Sequence, residues 1–370
     1  MNSFIQNAME RQDAREIDPN DENNAELRKF IMQQGARIKV IGCGGGGNNT
    51  INRITEVGIE GIKTIAVNTD AQDLWYTTAD KKILLGKELT KGLGAGANPK
   101  VGEESARENE ADLKEALQGS DLVFITCGLG GGTGTGSAPV VAEISKKMGA
   151  LTVGIVTMPF KMEGNSRYSN AIYGLEKLKN NVDTLIVIPN DKLLELAPNI
   201  PMNMAFKIAD EILTNAVKGI AELITKDGLM NLDFADIRAI MSDGGVALIG
   251  VGESDSENRG LESVEKAINN PLLDVDIAGA SGALINVSGS NDLTLQEAQQ
   301  IVSVISEKLD EDAKVIWGAQ IYDDMGKTVR TMVIITGVKS SQIIGPGAHT
   351  SKKVQEQKEG LSSDLGIEFI

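Results

Sequence analysis

The stretch GLGGGTGTGSAP, Gly128–Pro139, directly follows the apolar run DLVFITC, and its last residues begin the helix-like run APVVAEISKKMG. A glycine inside a regular strand or helix costs roughly 0.5–1 kcal/mol relative to alanine, so this glycine density predicts a loop. A glycine loop between a strand and a helix presents backbone N–H groups and the helix dipole to an anion. The stretch therefore predicts a phosphate site.

A second glycine loop, IGCGGGGNN, closes the strand-like run RIKVIG and precedes the helix-like NNTINRITEVG. It matches the G-x-G-x-x-G pattern of dinucleotide-binding folds through Gly42, Gly44 and Gly47. Asp70 follows the next strand-like run, where such a fold keeps its ribose-binding acid. An NAD-dependent oxidoreductase is therefore one interpretation of this loop.

The presence of two glycine loops favours a different ligand. A dinucleotide fold needs one pyrophosphate loop, whereas two loops at the carboxyl ends of parallel strands can hold one polyphosphate from two sides. The hydroxyls of Thr133 and Thr135 are expected to add hydrogen bonds to phosphate. A Walker A motif is absent, because Ile321 occupies the glycine position that the GKT at 326–328 would require.

Composition limits the class of protein. Of the 370 residues, 41% are hydrophobic and 24% are charged, which is typical of a soluble globular chain with room for two domains. No apolar run approaches the roughly 20 residues that span a bilayer. The polar, acidic N-terminus resembles neither a signal nor a transit peptide, so we expect a cytoplasmic protein without direct membrane insertion. The net charge of −16 argues against nucleic acid as a partner.

Cysteine and histidine are scarce. Cys43 and Cys127 follow apolar runs and are expected to be reduced, buried thiols. The single histidine, His349, lies in the polar C-terminal tail, which excludes a Ser-His-Asp triad or a histidine-rich metal site in the body. The chemistry must therefore use carboxylates, backbone amides, arginine and lysine.

Strand-like and helix-like runs alternate from Arg37 onward, which predicts an α/β fold with a parallel sheet covered on both faces. One long helix is predicted between two such series. The predicted parts are an N-terminal extension (1–36), a nucleotide-binding domain (37–200), the central helix (201–227), a second α/β domain (228–338) and a flexible tail (339–370).

Several motifs occur together in one order: IGCGGGGNN, NTDAQ, KGLGAGANP, GLGGGTGTGSAP, MPFKMEGNSR, IPND and NLDFADIR. In this order they resemble the loops of the tubulin/FtsZ family, from about Arg37 to Val338. The Glu-Gly-x-x-Arg spacing and NLDFADI resemble FtsZ rather than tubulin proper, and the two termini resemble the archaeal branch. The resemblance implies a Rossmann-like parallel-sheet GTPase domain, a long central helix and a second α/β domain. It also implies a GTPase that polymerises head to tail and forms the mid-cell division ring.

The same resemblance implies a site for GTP or GDP with Mg²⁺, whose metal ligands it leaves unknown. The residues carried over as nucleotide-binding are Gly45, Gly46, Gly47, Asn48, Asn49, Asp70, Ala71, Gly130, Gly131, Gly132, Thr133, Gly134, Thr135, Gly136, Glu163, Arg167, Asn190, Phe206 and Asp210.

The residue types at the base and ribose have their own chemistry. A carboxylate such as Asp210 can accept from both the N1–H and the exocyclic amine of guanine, and Phe206, four residues earlier, could stack on the purine. From sequence alone, an exposed helical aspartate and an ordinary core phenylalanine are the alternatives. Glu163 and Arg167 are expected to contact ribose and phosphate, with a solvated pair as the alternative.

The resemblance assigns catalysis to Asp233, Asp236 and Asn231, on a loop that would insert into the nucleotide site of the next subunit. The two aspartates would polarise the attacking water. Their spacing of three at a probable helix start is also typical of a helix cap. The alternative is a nucleotide-dependent filament that does not hydrolyse its nucleotide, in which Asp233 and Asp236 only cap the helix.

The tail ends in LGIEFI, Leu365–Ile370. An apolar peptide on a flexible spacer could dock into a groove on a partner. The resemblance implies a membrane-anchoring division adaptor as that partner, and an unpartnered, frayed end is the alternative.

Overall fold

In the computed structural model, which describes residues 35–196, 201–226, 232–273 and 280–338, ten strands pair into one mixed sheet. Their order across the sheet is β3-β2-β1-β4-β5-β6-β7-β10-β8-β9. β10 is antiparallel to both of its neighbours, and the other pairs are parallel. The strands are β1 (Ile38–Cys43), β2 (Ile62–Asn68), β3 (Lys81–Leu84), β4 (Leu122–Gly128), β5 (Leu151–Met158), β6 (Thr184–Pro189), β7 (Gly245–Ser254), β8 (Gly282–Gly289), β9 (Lys314–Ile321) and β10 (Val329–Thr336).

Twelve helices of the described chain connect or cover these strands, which confirms the predicted α/β class. They are α1 (Gly44–Val57), α2 (Ala71–Tyr76), α3 (Lys87–Thr90), α4 (Pro99–Glu108), α5 (Glu110–Leu117), α6 (Thr133–Lys147), α7 (Asn165–Lys179), α8 (Asn190–Leu196), α9 (Met202–Thr225), α10 (Phe234–Met241), α11 (Arg259–Ile268) and α12 (Leu295–Ser306). The run ESARENEADLKEALQ falls in two helices, α4 and α5, because Asn109 between them leaves the helical conformation.

The central strands are buried on both faces. All eight residues of β5 are buried, as are six of the seven in β4. Parallel strands covered by helices on both sides are continuously apolar for this reason, since neither face meets water. α6 is buried from Gly134 to Ala142, and it holds Pro139 inside its helical span.

The order β3-β2-β1-β4-β5-β6 creates a crevice at one end of the sheet. β1 lies between β2 and β4, so the chain leaves β1 and β4 toward opposite sides of the sheet. Ligands of open α/β sheets bind where the strand order reverses, at the carboxyl ends of the strands. Both glycine loops lie there, since IGCGGGGNN ends β1 and GLGGGTGTGSAP ends β4.

The chain that carries Asp233 and Asp236 lies at the other end of the sheet. The carbonyl of Met241, the last residue of α10, accepts a 2.5 Å hydrogen bond from the hydroxyl of Thr184, the first residue of β6. The seven residues of β4, which runs parallel to β5 and β6, extend over about 20 Å. α10 therefore lies roughly a strand length from the glycine loops.

The two predicted α/β series share this sheet, joined by three parallel residue pairs from Thr184↔Gly245 to Ile186↔Ala247. α9 confirms the long helix between the series, and it begins at Met202 after Pro201. The domain boundaries themselves stay a prediction. The predicted tail and all but two residues of the predicted extension lie outside the described residues. No helix among the described residues is long and apolar enough to cross a bilayer.

Candidate nucleotide-binding site

The two glycine loops are packed backbone against backbone. A Cβ atom on Gly47 would lie 2.5 Å from the carbonyl oxygen of Thr126, and one on Gly134 would lie 2.8 Å from the carbonyl oxygen of Cys43. Atoms that close overlap, so only glycine fits at either position. The close approach brings the first turns of α1 and α6 together at the carboxyl ends of β1 and β4.

Both helices begin inside the glycine runs. α1 starts at Gly44, whose positive φ of 69° turns the chain out of β1, and its first turn consists of four glycines. α6 starts at Thr133, earlier than the predicted run APVVAEISKKMG. Glycine lowers helix propensity, but the burial of α6 outweighs that cost. The N–H groups of a first helical turn have no partner in their own helix, so two sets of amide donors occur side by side.

A cleft of about 370 Å³ lies between the two loops and the amino-terminal half of α9. It contains many of the predicted nucleotide-binding residues. These are Gly45, Gly46, Asn49, Gly131, Gly132, Thr133, Gly134, Glu163, Arg167, Asn190, Phe206 and Asp210.

The remaining predicted residues are not on the cleft wall: Gly47, Asn48, Asp70, Ala71, Gly130, Thr135 and Gly136. Thr135 is buried, and its hydroxyl accepts a 2.9 Å hydrogen bond from the N–H of Gly130 rather than facing the cleft. A Cβ on Gly136 would lie 2.1 Å from the carbonyl oxygen of Pro99, so this glycine allows α4 to pack on α6. The carboxylate of Asp70 caps α2. Thr135 and Gly136 therefore contribute to the packing around the loop and not to the cleft wall.

Asp73 was missed by the sequence analysis, although it directly follows NTDAQ. Its Oδ2 accepts hydrogen bonds from the side-chain amides of Asn48, at 3.0 Å, and Asn68, at 2.6 Å. The same oxygen lies 3.8 Å from the position of a Cβ on Gly45, at the cleft. Asp73 therefore ties the start of α1 to the end of β2. The signal was its position in the first turn of a helix that Asp70 caps.

One side of the cleft is formed by a turn of α9. Phe206 is 38% exposed and packs edge-on against Phe160, with ring centroids 5.3 Å apart, so it is not an ordinary core residue. Asp210 lies one turn further along. Burial raises the pKa of its carboxyl to about 6, while a hydrogen bond with Thr50 opposes the rise. A raised pKa shows that this aspartate is not a freely solvated surface residue.

Two further polar side chains of the cleft wall are Glu163 and Asn190. Glu163 accepts hydrogen bonds from the N–H of Phe160, at 2.9 Å, and from Arg167, at 2.7 Å. Asn190 is 4% exposed, and its Oδ1 has no hydrogen-bond partner among the described residues. A buried acceptor without a partner is costly, so Asn190 fits a ligand that donates a hydrogen bond.

Asp233 and Asp236 form a reciprocal helix cap. The carboxylate of Asp233 accepts from the N–H of Asp236 at 2.8 Å, and Asp236 accepts from the N–H of Asp233 at 3.4 Å. Both carboxylates lie near the amino ends of the strands, away from the cleft of their own chain. Asn231, the third predicted catalytic residue, lies outside the described residues.

Two amide cradles, an exposed aromatic ring, a half-buried carboxylate and an unpartnered amide oxygen line a single cleft. Together they define an α/β protein whose cleft has the features of a purine nucleoside polyphosphate site.

Comparison with known proteins gives the family. Residues 37–198 match the GTPase domain of the tubulin/FtsZ family, and residues 245–339 match the C-terminal domain of the FtsZ family. "Cell division protein FtsZ 1" of Thermococcus kodakarensis is 58% identical over 371 residues, which is 99% of each chain. The protein of the same name from Methanocaldococcus jannaschii is 62% identical over 325 residues, 88% of each chain.

A solved structure has the same fold. The "FtsZ dimer, empty" from M. jannaschii matches with a TM-score of 0.82 and 62% identity, over 86% of this chain and 93% of that one. The chain therefore belongs to the FtsZ family, and its relatives confirm the predicted archaeal branch. Its first α/β series is a GTPase domain, and the NAD-dependent oxidoreductase and the non-hydrolysing filament find no support.

Alanine substitution should distinguish loop glycines that are needed for packing from loop glycines that line the cleft. Gly136→Ala should lower the free energy of unfolding by about 1–3 kcal/mol, because its Cβ would overlap Pro99. Gly131 has no atom within 4 Å of its Cβ position, so Gly131→Ala should change that free energy by less than about 0.5 kcal/mol. Gly131→Ala should instead weaken GTP binding, because the methyl group enters the cleft. Denaturant unfolding measures the free energy of unfolding of each variant, and nucleotide titration measures its affinity for GTP. Equal destabilisation by Gly136→Ala and Gly131→Ala would contradict the assignment of Gly136 to packing and Gly131 to the cleft.

Guanine binding should depend on the ionisation of Asp210. Only the ionised carboxylate can accept from both guanine N–H groups, so affinity should be highest above pH 7 and fall as the pH drops through about 6. Between pH 7 and pH 5, wild-type affinity for GTP should fall about tenfold more than that of Asp210→Asn. Titration of the triphosphate itself cancels in this comparison. A ratio of affinities that stays constant with pH would contradict the assignment.

Proposed function

We propose that this chain binds GTP in the cleft, hydrolyses it only at a junction between two subunits, and assembles head to tail into filaments of the cell-division ring. One observation supports the shared site most strongly. The cleft and the pair Asp233–Asp236 lie at opposite ends of one sheet, about a strand length apart. The names of its relatives, and the dimer of one of them, support the cellular role and the self-association.

Each part of the cleft has a role in holding the nucleotide. Phe206 stacks on the guanine, and Asp210 accepts from its N1–H and exocyclic amine. Glu163 and Asn190 offer acceptors to the ribose hydroxyls, and Arg167 reaches the ribose or the phosphates. The amides of the two glycine loops surround the phosphates and neutralise part of their charge through the α1 and α6 dipoles.

Mg²⁺ belongs to the same proposal, and the residues present fit it. Magnesium is usually bound by one or two carboxylates together with substrate phosphates. Asp73 supplies a carboxylate oxygen beside the first glycine loop, and Asp70 caps the helix that carries Asp73. When bound there, the ion would neutralise charge on the terminal phosphates.

Hydrolysis needs a positioned water more than it needs covalent chemistry. Asp233 and Asp236 are suited to this because each accepts a backbone N–H of the other residue, which fixes both carboxylates at the end of α10. In a neighbouring chain they would face the terminal phosphate and orient the attacking water. The capping interpretation and the catalytic one are therefore compatible.

A cleft at one end that accepts a loop from the other end makes a heterologous contact. Such a contact builds an open filament when the rotation between subunits does not close a ring. Loss of the terminal phosphate removes part of what the inserted loop contacts, so hydrolysis should weaken the junction that made it possible.

The proposed membrane-anchoring adaptor would bind the tail peptide Leu365–Ile370, which lies outside the described residues. Its support is the peptide's composition: an apolar end after a polar spacer suits docking into a groove. The proposal places the protein at the mid-cell ring through that adaptor.

Asp236→Asn should separate catalysis from capping. The asparagine oxygen can still accept from the N–H of Asp233, so the free energy of unfolding and the affinity for GTP should stay near wild type. Turnover in the polymer should fall by at least about a hundredfold, because the charged group that orients water is lost. Turnover within twofold of wild type would show that Asp236 only caps α10.

A mixture of two inactive variants tests the shared site directly. The Asp236→Asn variant has an intact cleft but an inactive catalytic loop. The Asp210→Ala variant has an intact loop, with Asp236, but a defective cleft. Random assembly of equal amounts should restore up to about a quarter of wild-type turnover, because a quarter of the junctions combine both intact halves. A mixture no more active than either variant alone would contradict a site shared between subunits.

A further inference from the structure

Three charged side chains form a stripe on the carboxyl-terminal half of α9. Lys218, Glu222 and Lys226 are spaced four residues apart, so they lie on one face of the helix over two turns. Glu222 is 2% exposed, and one of its carboxylate oxygens pairs with Lys226 at 2.6 Å. An ionised carboxylate so deeply buried is stable only when its oxygens have partners.

Tyr322, directly after β9, lies over this stripe and provides the second partner. Its hydroxyl donates to the other carboxylate oxygen of Glu222 and lies 2.9 Å from the side-chain oxygen of Gln320. The ammonium groups of Lys218 and Lys226 lie 5.6 Å and 5.2 Å from the centre of its ring, within the range of cation–π attraction. Burial and the bond to Glu222 raise the pKa of Tyr322, so the phenol remains a donor.

A cavity adjoins Tyr322, so the hydrogen bond between Tyr322 and Glu222 contributes a larger share of the interaction that holds this part of α9. A cavity of about 120 Å³ lies between α9 and the second α/β series, lined by Lys218, Gly219, Glu222 and Tyr322, among others. At Gly219 the helix is also held by Asn286, which donates to its carbonyl at 3.0 Å. Beyond that turn, Tyr322 adds a polar contact between the carboxyl end of α9 and the residue directly after β9.

α9 joins the two ends of the proposed mechanism. It carries Asp210 in the cleft, and Glu222 lies twelve residues further, about 18 Å along the helix axis. Asp233 follows Lys226 by seven residues, so at most about 25 Å of chain separates them. The end of α9 and Asp233 are therefore close neighbours along the chain, so a displacement of one can be transmitted to the other.

We infer that Tyr322 is a positioning residue for GTP hydrolysis: through Glu222 it holds the end of α9 in the register that presents Asp233 and Asp236 to the next subunit. This inference rests on the proposed function, because it concerns the loop that completes the neighbouring site. A misplacement of about 1 Å in catalytic geometry can cost around a hundredfold in rate, so a single contact of this kind can be measured.

The test uses the full chain with Tyr322→Phe, which removes only the hydroxyl. Tyr173→Phe is the matched control, since that half-buried ring on α7 also contacts a lysine, Lys177, at 4.8 Å. Turnover per subunit is measured well above the assembly threshold, together with the threshold itself and the affinity of the dispersed protein for GDP. Tyr322→Phe should lower turnover at least about fivefold while threshold and affinity change less than twofold. Tyr173→Phe should change none of the three.

A double variant separates positioning from stability. In Tyr322→Phe the buried charge of Glu222 loses a donor, and adding Glu222→Gln removes that charge. The double variant should recover thermal stability, whereas its turnover should stay low because the link to β9 is still absent. The inference is overturned if Tyr322→Phe turns over GTP like wild type, or if turnover recovers together with stability in the double variant.

The concentration dependence of wild-type turnover distinguishes an error about Tyr322 from an error about the site shared between subunits. If wild-type turnover rises with protein concentration while Tyr322→Phe matches wild type, only the role of Tyr322 is wrong. If wild-type turnover per molecule is the same at every concentration, the shared site is wrong and the role of Tyr322 falls with it.

Discussion

The close backbone contact between the chain segments at the carboxyl ends of β1 and β4 is the constraint on which the site depends. Gly47 lies against Thr126 and Gly134 against Cys43 at distances that no side chain could occupy. That approach lets two helices begin side by side, so their unpaired first-turn amides meet in one cleft. A single amide cradle would suit a pyrophosphate, and two facing cradles suit a longer polyphosphate. The buried strands behind the loops are the rigid support for this geometry.

A second constraint is the length of the sheet. The cleft uses the carboxyl ends of the strands, and the paired aspartates lie near the amino ends, so one chain cannot bring them together. The proposed head-to-tail filament follows from a chain whose cleft and proposed catalytic loop lie at opposite ends of the sheet. The helix α9 runs between these ends, with Asp210 near one and Glu222 near the other. Its contact with Tyr322 is therefore well placed to influence chemistry in a different subunit.

Much of the fold could be predicted from the sequence, because strand and helix periods alternate clearly and the glycine loops interrupt them. Phe206 and Asp210 were expected in the cleft through the resemblance to the family, because the sequence alone left an ordinary core phenylalanine and an exposed helical aspartate as alternatives. The cleft was predicted less well where tertiary packing decides. Thr135 and Gly136 belong to the signature loop, yet they face the protein, because the loop becomes helical at Thr133 and turns its far side toward α4 and α7. Asp73 was not predicted because its partners, Asn48 at the start of α1 and Asn68 at the end of β2, come together only in the folded sheet.

The account's central claim is that no single chain contains a complete catalytic site. The most direct measurement is GTP turnover per molecule of the unmodified protein across a dilution series, at constant saturating GTP and Mg²⁺. Turnover per molecule should be nearly zero at high dilution and rise steeply above a threshold concentration, as neighbouring subunits complete each other's sites. A turnover per molecule that stays constant down to the lowest concentration would contradict the account, and Asp233 and Asp236 would then be helix caps alone.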